Sequence, residues 1–443
     1  MDATGASITG GSTGGSDGDP TSDGEVVAGH PEPGRFRRWY STLHPSLQLI
    51  GLQLWLPLFF IVGFCLCYIA AFHAPHPHDV PVAVVGSSAE LQTTLDERLP
   101  GVIDLRAYDD AAEARAAVTS GRAAVAYDPG DDLLYTASAH QYQVAALIPA
   151  MLTPVIEASG APAPAVTDLA PLPPYDEYGT VSLYLMLAWC IGGYMVAMFI
   201  GLMGAPLRHR TRTTVIVVGA AVISLITNTL AGPVVGAVQG HFVELVLLGW
   251  GWIIAIGLTV NGISYFVGRF VALPAMIVFV FLSMPASGGA YPAWFMPQPF
   301  AWLNNVVVGS GITEMLKRAL YDVGPGYGRG LTMMLVYAGV GVVLMITGKA
   351  WWERRRVRRI VTGRTTMFLD AQNANRDFLA AERDDILRRH GLASSDTGTI
   401  RTVAVDERGE LDDGTSGDPL LGSPGGLEDD ALDTRPIPTR PRG

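Results

Sequence analysis

His73, His76, His78 and Asp79 crowd into one short stretch. Imidazoles and a carboxylate are metal ligands, and His76 and His78 share one side of an extended chain. Pro75 and Pro77 lie between them and favour a plain linker, so no metal site is assigned. Asp109–Asp110 and Asp131–Asp132 are adjacent carboxylate pairs. Sequence neighbours do not face one another on a helix or strand, so neither pair makes an acid–base dyad. Cys65, Cys67 and Cys190 all sit in apolar runs and read as small apolar filler. No G-x-x-x-x-G-K-[ST] or H-E-x-x-H occurs, and the G-x-S-x-G matches at 10–14 and 14–18 fall in a Gly/Ser-rich stretch with no strand before them and no helix after. The chain therefore lacks a P-loop and the H-E-x-x-H zinc-hydrolase motif. It is not expected to be an enzyme, and no catalytic or cofactor-binding residue is assigned.

Three other groups draw interest because they fall within or beside apolar runs. Asn228, Glu244 and Asn261 are polar at positions where polarity is costly. They are candidates for a translocation path, with helix–helix hydrogen bonding as the alternative. Arg208, Arg210 and Arg212 cluster in a short polar loop.

The elements that position these residues are membrane spans. Of 443 residues, 49% are hydrophobic and only 16% are charged, a balance that places the chain in the membrane class. Arginines cluster at the edges of apolar runs, where topology explains them, so no nucleic-acid partner is expected. Apolar runs predict spans at Leu47–Phe72, Thr180–Gly204, Thr213–Val238, Phe242–Phe266, Val271–Met284 (starting from about Val267) and Gly330–Ala350. Arg35 to Arg38, Arg208 to Arg212 and the arginines of Trp351–Arg359 then all fall on one side. The positive-inside rule makes that side cytoplasmic, with both termini inside and the chain multi-pass in the inner (cytoplasmic) membrane.

Residues 1–34 are rich in Gly, Ser, Thr and Asp and are expected to be a disordered cytoplasmic N-terminus, not a signal peptide. Residues 35–72 hold a basic-aromatic interfacial segment and the first span. Residues 73–178 carry 15 acidic residues against 4 arginines and read as an extracytoplasmic α/β domain. Strands are predicted at Val80–Val85, Val102–Tyr108, Ala123–Tyr127 and Asp131–Ala137, and helices at Ser88–Leu99, Asp109–Val118 and Gln141–Ala158. A Pro-rich lead, Gly160–Pro174, returns to the membrane. The remaining five spans occupy 179–350 and include an extracytoplasmic loop over 285–328, in which Trp302–Tyr321 reads as an amphipathic interfacial helix. Residues 351–392 are basic and then amphipathic, with a helix over Thr366–His390. Residues 393–443 are expected to be a disordered acidic tail.

The fold class is therefore an α-helical polytopic membrane protein: six transmembrane helices with a small extracytoplasmic α/β domain between the first and second. After the fifth span comes Ser287-Gly-Gly-Ala-Tyr-Pro-Ala-Trp-Phe-Met-Pro297. This S-G-G-x-x-P turn, an aromatic pair and a further proline resemble the last extracytoplasmic loop of ABC-2-type permeases, most closely the phage-infection-protein (YhgE/Pip) branch. The matching residues are Ser287, Gly288, Gly289, Pro292 and Pro297. Val308-Gly-Ser-Gly-Ile-Thr313 stands where that family usually has a P-x-T-Y-like turn.

The resemblance implies a permease subunit of an exporter, working as a homodimer or a pair of related permeases. Separate ABC ATPase subunits would bind the ATP. It also implies that Arg208, Arg210 and Arg212 belong to the coupling loop that meets the ATPase; a plain topological anchor is the other reading. The rival function is a non-transporting envelope scaffold or receptor whose acidic domain binds a partner.

Overall fold

A computed structural model describes residues 39–40, 42–87, 89–203, 208–362, 367–390, 392–394 and 400–402. The expectations for 1–38 and for most of the tail lie outside these residues. The chain divides into two compact units. The larger comprises residues 50–366 of the described chain, and the smaller joins residues 35–49 to residues from 367 onward.

Among the described residues, five helices are long and apolar enough to cross a membrane. They are α1 (Pro45–Phe72), α5 (Val181–Met203), α6 (His209–Val234), α7 (Phe242–Val267) and α11 (Gly328–Thr362, apolar to Trp351). Between α1 and α5 lies a five-stranded sheet of order β2-β1-β3-β4-β5. The strands are β1 (Val80–Val85), β2 (Ile103–Tyr108), β3 (Val125–Asp128), β4 (Leu133–Thr136) and β5 (Ala165–Asp168). β1 pairs in parallel with both β2 and β3, β4 runs antiparallel to β3, and β5 runs parallel to β4.

β1 is buried on both faces, and because successive side chains point to opposite sides, the two faces meet different helices. Val80, Val82 and Val84 pack under Leu91 and Leu95 of α2 (Ala89–Arg98) and Ile148, Leu152 and Ile156 of α4 (Tyr142–Ala158). Ala83 and Ala126 face Ala114, Ala117 and Val118 of α3 (Ala111–Thr119). Asp110 caps α3, its Oδ1 accepting from Glu113 N at 2.7 Å. That carboxylate has a structural task. β5 has no counterpart among the predicted strands. All four of its residues are exposed and Pro162 and Pro164 precede it, so neither alternation nor apolarity marks it.

α7 is the central span. Trp250 Nε1 donates to Val217 O of α6 at 3.0 Å, and Thr259 Oγ1 donates to Tyr337 O of α11 at 2.8 Å. A Cβ on Gly341 would sit 2.6 Å from both Leu258 C and Thr259 N, so α11 rests directly on the α7 backbone there. Gly341→Leu is expected to cost about 1–3 kcal/mol through overpacking. It should lower the melting temperature of the detergent-purified protein. Gly339→Leu, which meets open space, should leave it unchanged.

The segment expected as the fifth span, Val271–Met284, is irregularly wound. Gly268, at φ +65°, closes α7. A 3-10 turn (Gly268–Val271) follows, then the short helix α8 (Ala272–Leu282), whose second half is a π-turn. Pro274, which has no backbone N–H, stands in the first turn of α8, where a helix tolerates it. Trp302–Tyr321 differs too. It splits into α9 (Gln298–Leu303) and α10 (Val308–Tyr321). α10 buries Val308, Ile312, Met315, Leu316, Lys317 and Ala319, so it is a packed element and not an interfacial one.

In the smaller unit, α12 (Met367–Arg389) packs on the chain leading into α1. The His44 and Phe378 rings lie 4.6 Å apart, edge to face, and Ser46 Oγ donates to Asn375 Oδ1 at 3.3 Å. The tail was expected to be structureless from residue 393. Within it, β6 (Leu392–Ser394) pairs antiparallel with β7 (Ile400–Thr402).

Candidate functional site

The Ser287–Pro297 loop is the joint between the inserted domain and the helix bundle. Ser287 Oγ donates to Met284 O at 2.8 Å and accepts from Gly289 N at 3.0 Å, which folds the chain back on itself. Gly288 takes φ +76°, a conformation that favours glycine. This orientation presents the Gly288 carbonyl to the inserted domain, where Gln141 Nε2 donates to it. Pro292 and Pro297 open a 3-10 turn (Ala293–Phe295) and α9 respectively. Between them, Phe295 is 1% exposed and buries itself in the core beneath α2 and α4. Trp294 O accepts from His78 N at 2.9 Å. All five motif residues thus shape one plug into the domain's underside.

Lys317 completes the joint. Its Nζ donates to His140 O of the domain at 2.6 Å and to Gly288 O of the loop at 3.3 Å. Burial pushes its ammonium down to about 7, with Glu314 pulling the other way. His140 is buried beside it and is held neutral, lowered to about 3 by desolvation and then by the Lys317 charge. Burial raises Glu314 against the pull of Arg329, its ion-pair partner. Arg329 Nη2 also donates to Asn304 O at 2.9 Å, and Asn304 Nδ2 to Ala286 O at 2.8 Å. A second tether lies nearby. Asp176, 6% exposed, accepts from Thr180 N at 2.9 Å, from Val181 N at 3.2 Å and from Tyr321 OH. It caps α5 and ties it to α10.

Asn228, Glu244 and Asn261 do not share a site. Asn228 is 2% exposed and donates to Ser224 O at 2.8 Å and to Leu245 O at 3.4 Å. Asn261 is fully buried and donates to Met345 Sδ at 2.9 Å. Both sit between packed helices. Glu244 instead lines an open cleft of about 830 Å³ between the domain and the bundle.

The arginine loop is split as well. Arg208 and Arg210 are exposed, while residues 204–207 lie outside the described chain. Arg212 is 6% exposed, with its guanidinium 5.0 Å over the Tyr265 ring. That ring's hydroxyl bonds His209 Nδ1 at 2.7 Å. Arg212 therefore helps anchor α6 to α7.

His73 Nδ1 turns to Ile69 O at 2.9 Å, and His78 Nδ1 to His76 O at 3.2 Å. Among the described residues no three His, Cys, Asp or Glu side chains gather as a metal site. Lys317 and Asp176 escaped sequence reasoning. Asp176 had a faint local signal, a carboxylate just ahead of a helix start. Lys317 had none, since its acceptors lie 177 and 29 residues away.

Long apolar helices, an inserted sheet domain and a loop that plugs it together define an integral multi-pass membrane protein with a built-in accessory domain. Residues 48–347 match the family model described as ABC-2 family transporter protein, and the chain belongs to that family. Comparison with curated proteins and with solved structures gave no match.

Proposed function

We propose that the chain is the permease subunit of an ABC-2-type exporter, close to the YhgE/Pip branch and not itself an enzyme. A separate P-loop ATPase drives it, and ATP is bound only there. The observation that carries this reading is the family match across the whole helical bundle in a chain without a P-loop.

Six crossings fit the packing. Val271, before α8, lies near Gly201 at the end of α5, while Gly289, after α8, lies against Leu183 at its start. The Gly268–Ser287 segment therefore runs back along α5. At 1.5 Å per residue it reaches roughly 30 Å, enough to cross. The domain is then extracytoplasmic, both termini are cytoplasmic, and the membrane is the inner one. The pore is formed by a homodimer or a pair of related permeases.

Arg208 and Arg210, exposed at the start of α6, are the docking residues for the ATPase. Arg212 is excluded from that contact by its place on Tyr265. Arg208→Glu combined with Arg210→Glu should abolish copurification of the ATPase and its stimulated turnover, with the melting temperature unchanged. Intact association in that variant would remove docking from this loop.

A further inference from the structure

Lys317 sits where the inserted domain meets the helix bundle, and it is only 6% exposed. Its acceptors are two carbonyls, His140 O of the domain at 2.6 Å and Gly288 O of the loop at 3.3 Å. A protonated lysine has three N–H donors, and the neutral amine has two. Two carbonyls therefore satisfy every donor of the amine and leave one donor of the ammonium unmet. The charged and titratable groups around it do not redress this. Glu314, one turn back on α10, is held by Arg329 of α11 and makes no hydrogen bond to Lys317. Its charge favours the ammonium, but burial outweighs that pull and brings Lys317 from 10.5 down to about 7. On the domain side His140 is lowered to about 3, first by burial and then by the Lys317 charge, so it stays neutral at and above pH 7.

We propose that this joint is a pH-dependent latch: Lys317 holds the domain to the bundle as the neutral amine, and the contact loosens when that amine takes up a proton. Opening lets water reach the ammonium, so opening binds a proton. Closure therefore gains on opening as pH rises from about 7 towards 10.5, by up to about tenfold per unit, and the dependence levels off below about 7. Glu314 would give the opposite sign. Burial raises its carboxyl, so closure governed by Glu314 would weaken as pH rises. The latch needs neither an ATPase nor a particular orientation in the membrane, so it stands or falls separately from the permease reading.

Amide hydrogen exchange of the full-length detergent-purified protein from pH 7 to pH 9, read by mass spectrometry, tests it. Two amides donate across the joint, His78 N to Trp294 O at 2.9 Å and Gly324 N to Thr119 O at 2.8 Å. Peptides holding them should exchange ahead of those of α7, since local opening precedes global unfolding. Corrected for the intrinsic exchange rate, their protection should rise with pH, by up to about tenfold per unit. In Lys317→Met that rise should vanish. Wild-type protection that is flat or falls with pH overturns the proposal. So does exchange of the joint peptides in step with α7, which would make the opening a global one. A Lys317→Met protein that keeps the wild-type rise overturns it as well. The wild-type series decides alone if that variant does not fold.

Discussion

Lys317→Met should flatten the pH dependence of thermal stability between about pH 7 and pH 10. In the folded wild-type protein the ammonium is pushed from 10.5 down to about 7, chiefly by burial. The unfolded chain holds a proton there that the folded chain has given up. More protons on the unfolded state means stability that rises with pH across this window. At about 1.4 kcal/mol per pH unit, the gain from pH 7 to pH 9 is roughly 2–3 kcal/mol. The two carbonyl acceptors favour the ammonium, so this figure is an upper value. Methionine fills similar space without a charge. At pH 7 it relieves the burial of an ammonium with no carboxylate within hydrogen-bonding reach, and it leaves His140 O without its Lys317 donor. These effects oppose one another, so the melting temperature at pH 7 should change little. A variant that keeps the wild-type slope between pH 7 and pH 9 would contradict this account of the joint.

Asp176→Ala should be the most damaging single truncation around the domain. The carboxylate is buried and accepts from two backbone N–H groups at the start of α5 and from the Tyr321 hydroxyl of α10. Loss of a helix cap costs about 1 kcal/mol, and hydrogen bonds to a charged group about 1.5–3 kcal/mol each. A total of about 3–5 kcal/mol is expected, because these contributions overlap. The Tyr321 hydroxyl and two amide donors would be left unmet in a half-dry junction. Size-exclusion profiles and melting curves in detergent at pH 7 should show a strongly reduced folded fraction. Asp176→Asn, which retains one carbonyl acceptor, should recover part of it. An alanine variant as stable as wild type would show that the cap and the tether carry no weight.

The spans were legible because a run of apolar residues long enough to cross a bilayer is a one-dimensional signal. α5, α6 and α7 start and end within a few residues of their predicted bounds, and the helix of α11 runs on through the basic residues after its apolar part. Strands β1 to β4 were legible for the same local reason. What failed was non-local. Lys317 shares a helical face with Glu314 and Arg318, so α10 looked wet on that side. Its burial depends on His140 and Gly288, which only the folded chain brings near. Arg212 looked like one of three loop charges, and Tyr265 of another span claimed it. The turn at Ser287–Gly289 was visible as a motif, but its partner Gln141 was not. Asn228 and Asn261 were marked by polarity alone, and their acceptors on other helices, Leu245 O and Met345 Sδ, had no local signal.

The permease reading makes this chain one half of an ATP-driven machine. The most direct measurement is purification of the tagged full-length chain from its native host in mild detergent, with mass spectrometry of its stoichiometric partners. A P-loop ATPase in near-equal amount is the predicted result. A clean, stable dimer with no ATPase would contradict the permease reading, and would favour a scaffold or receptor built around the inserted domain.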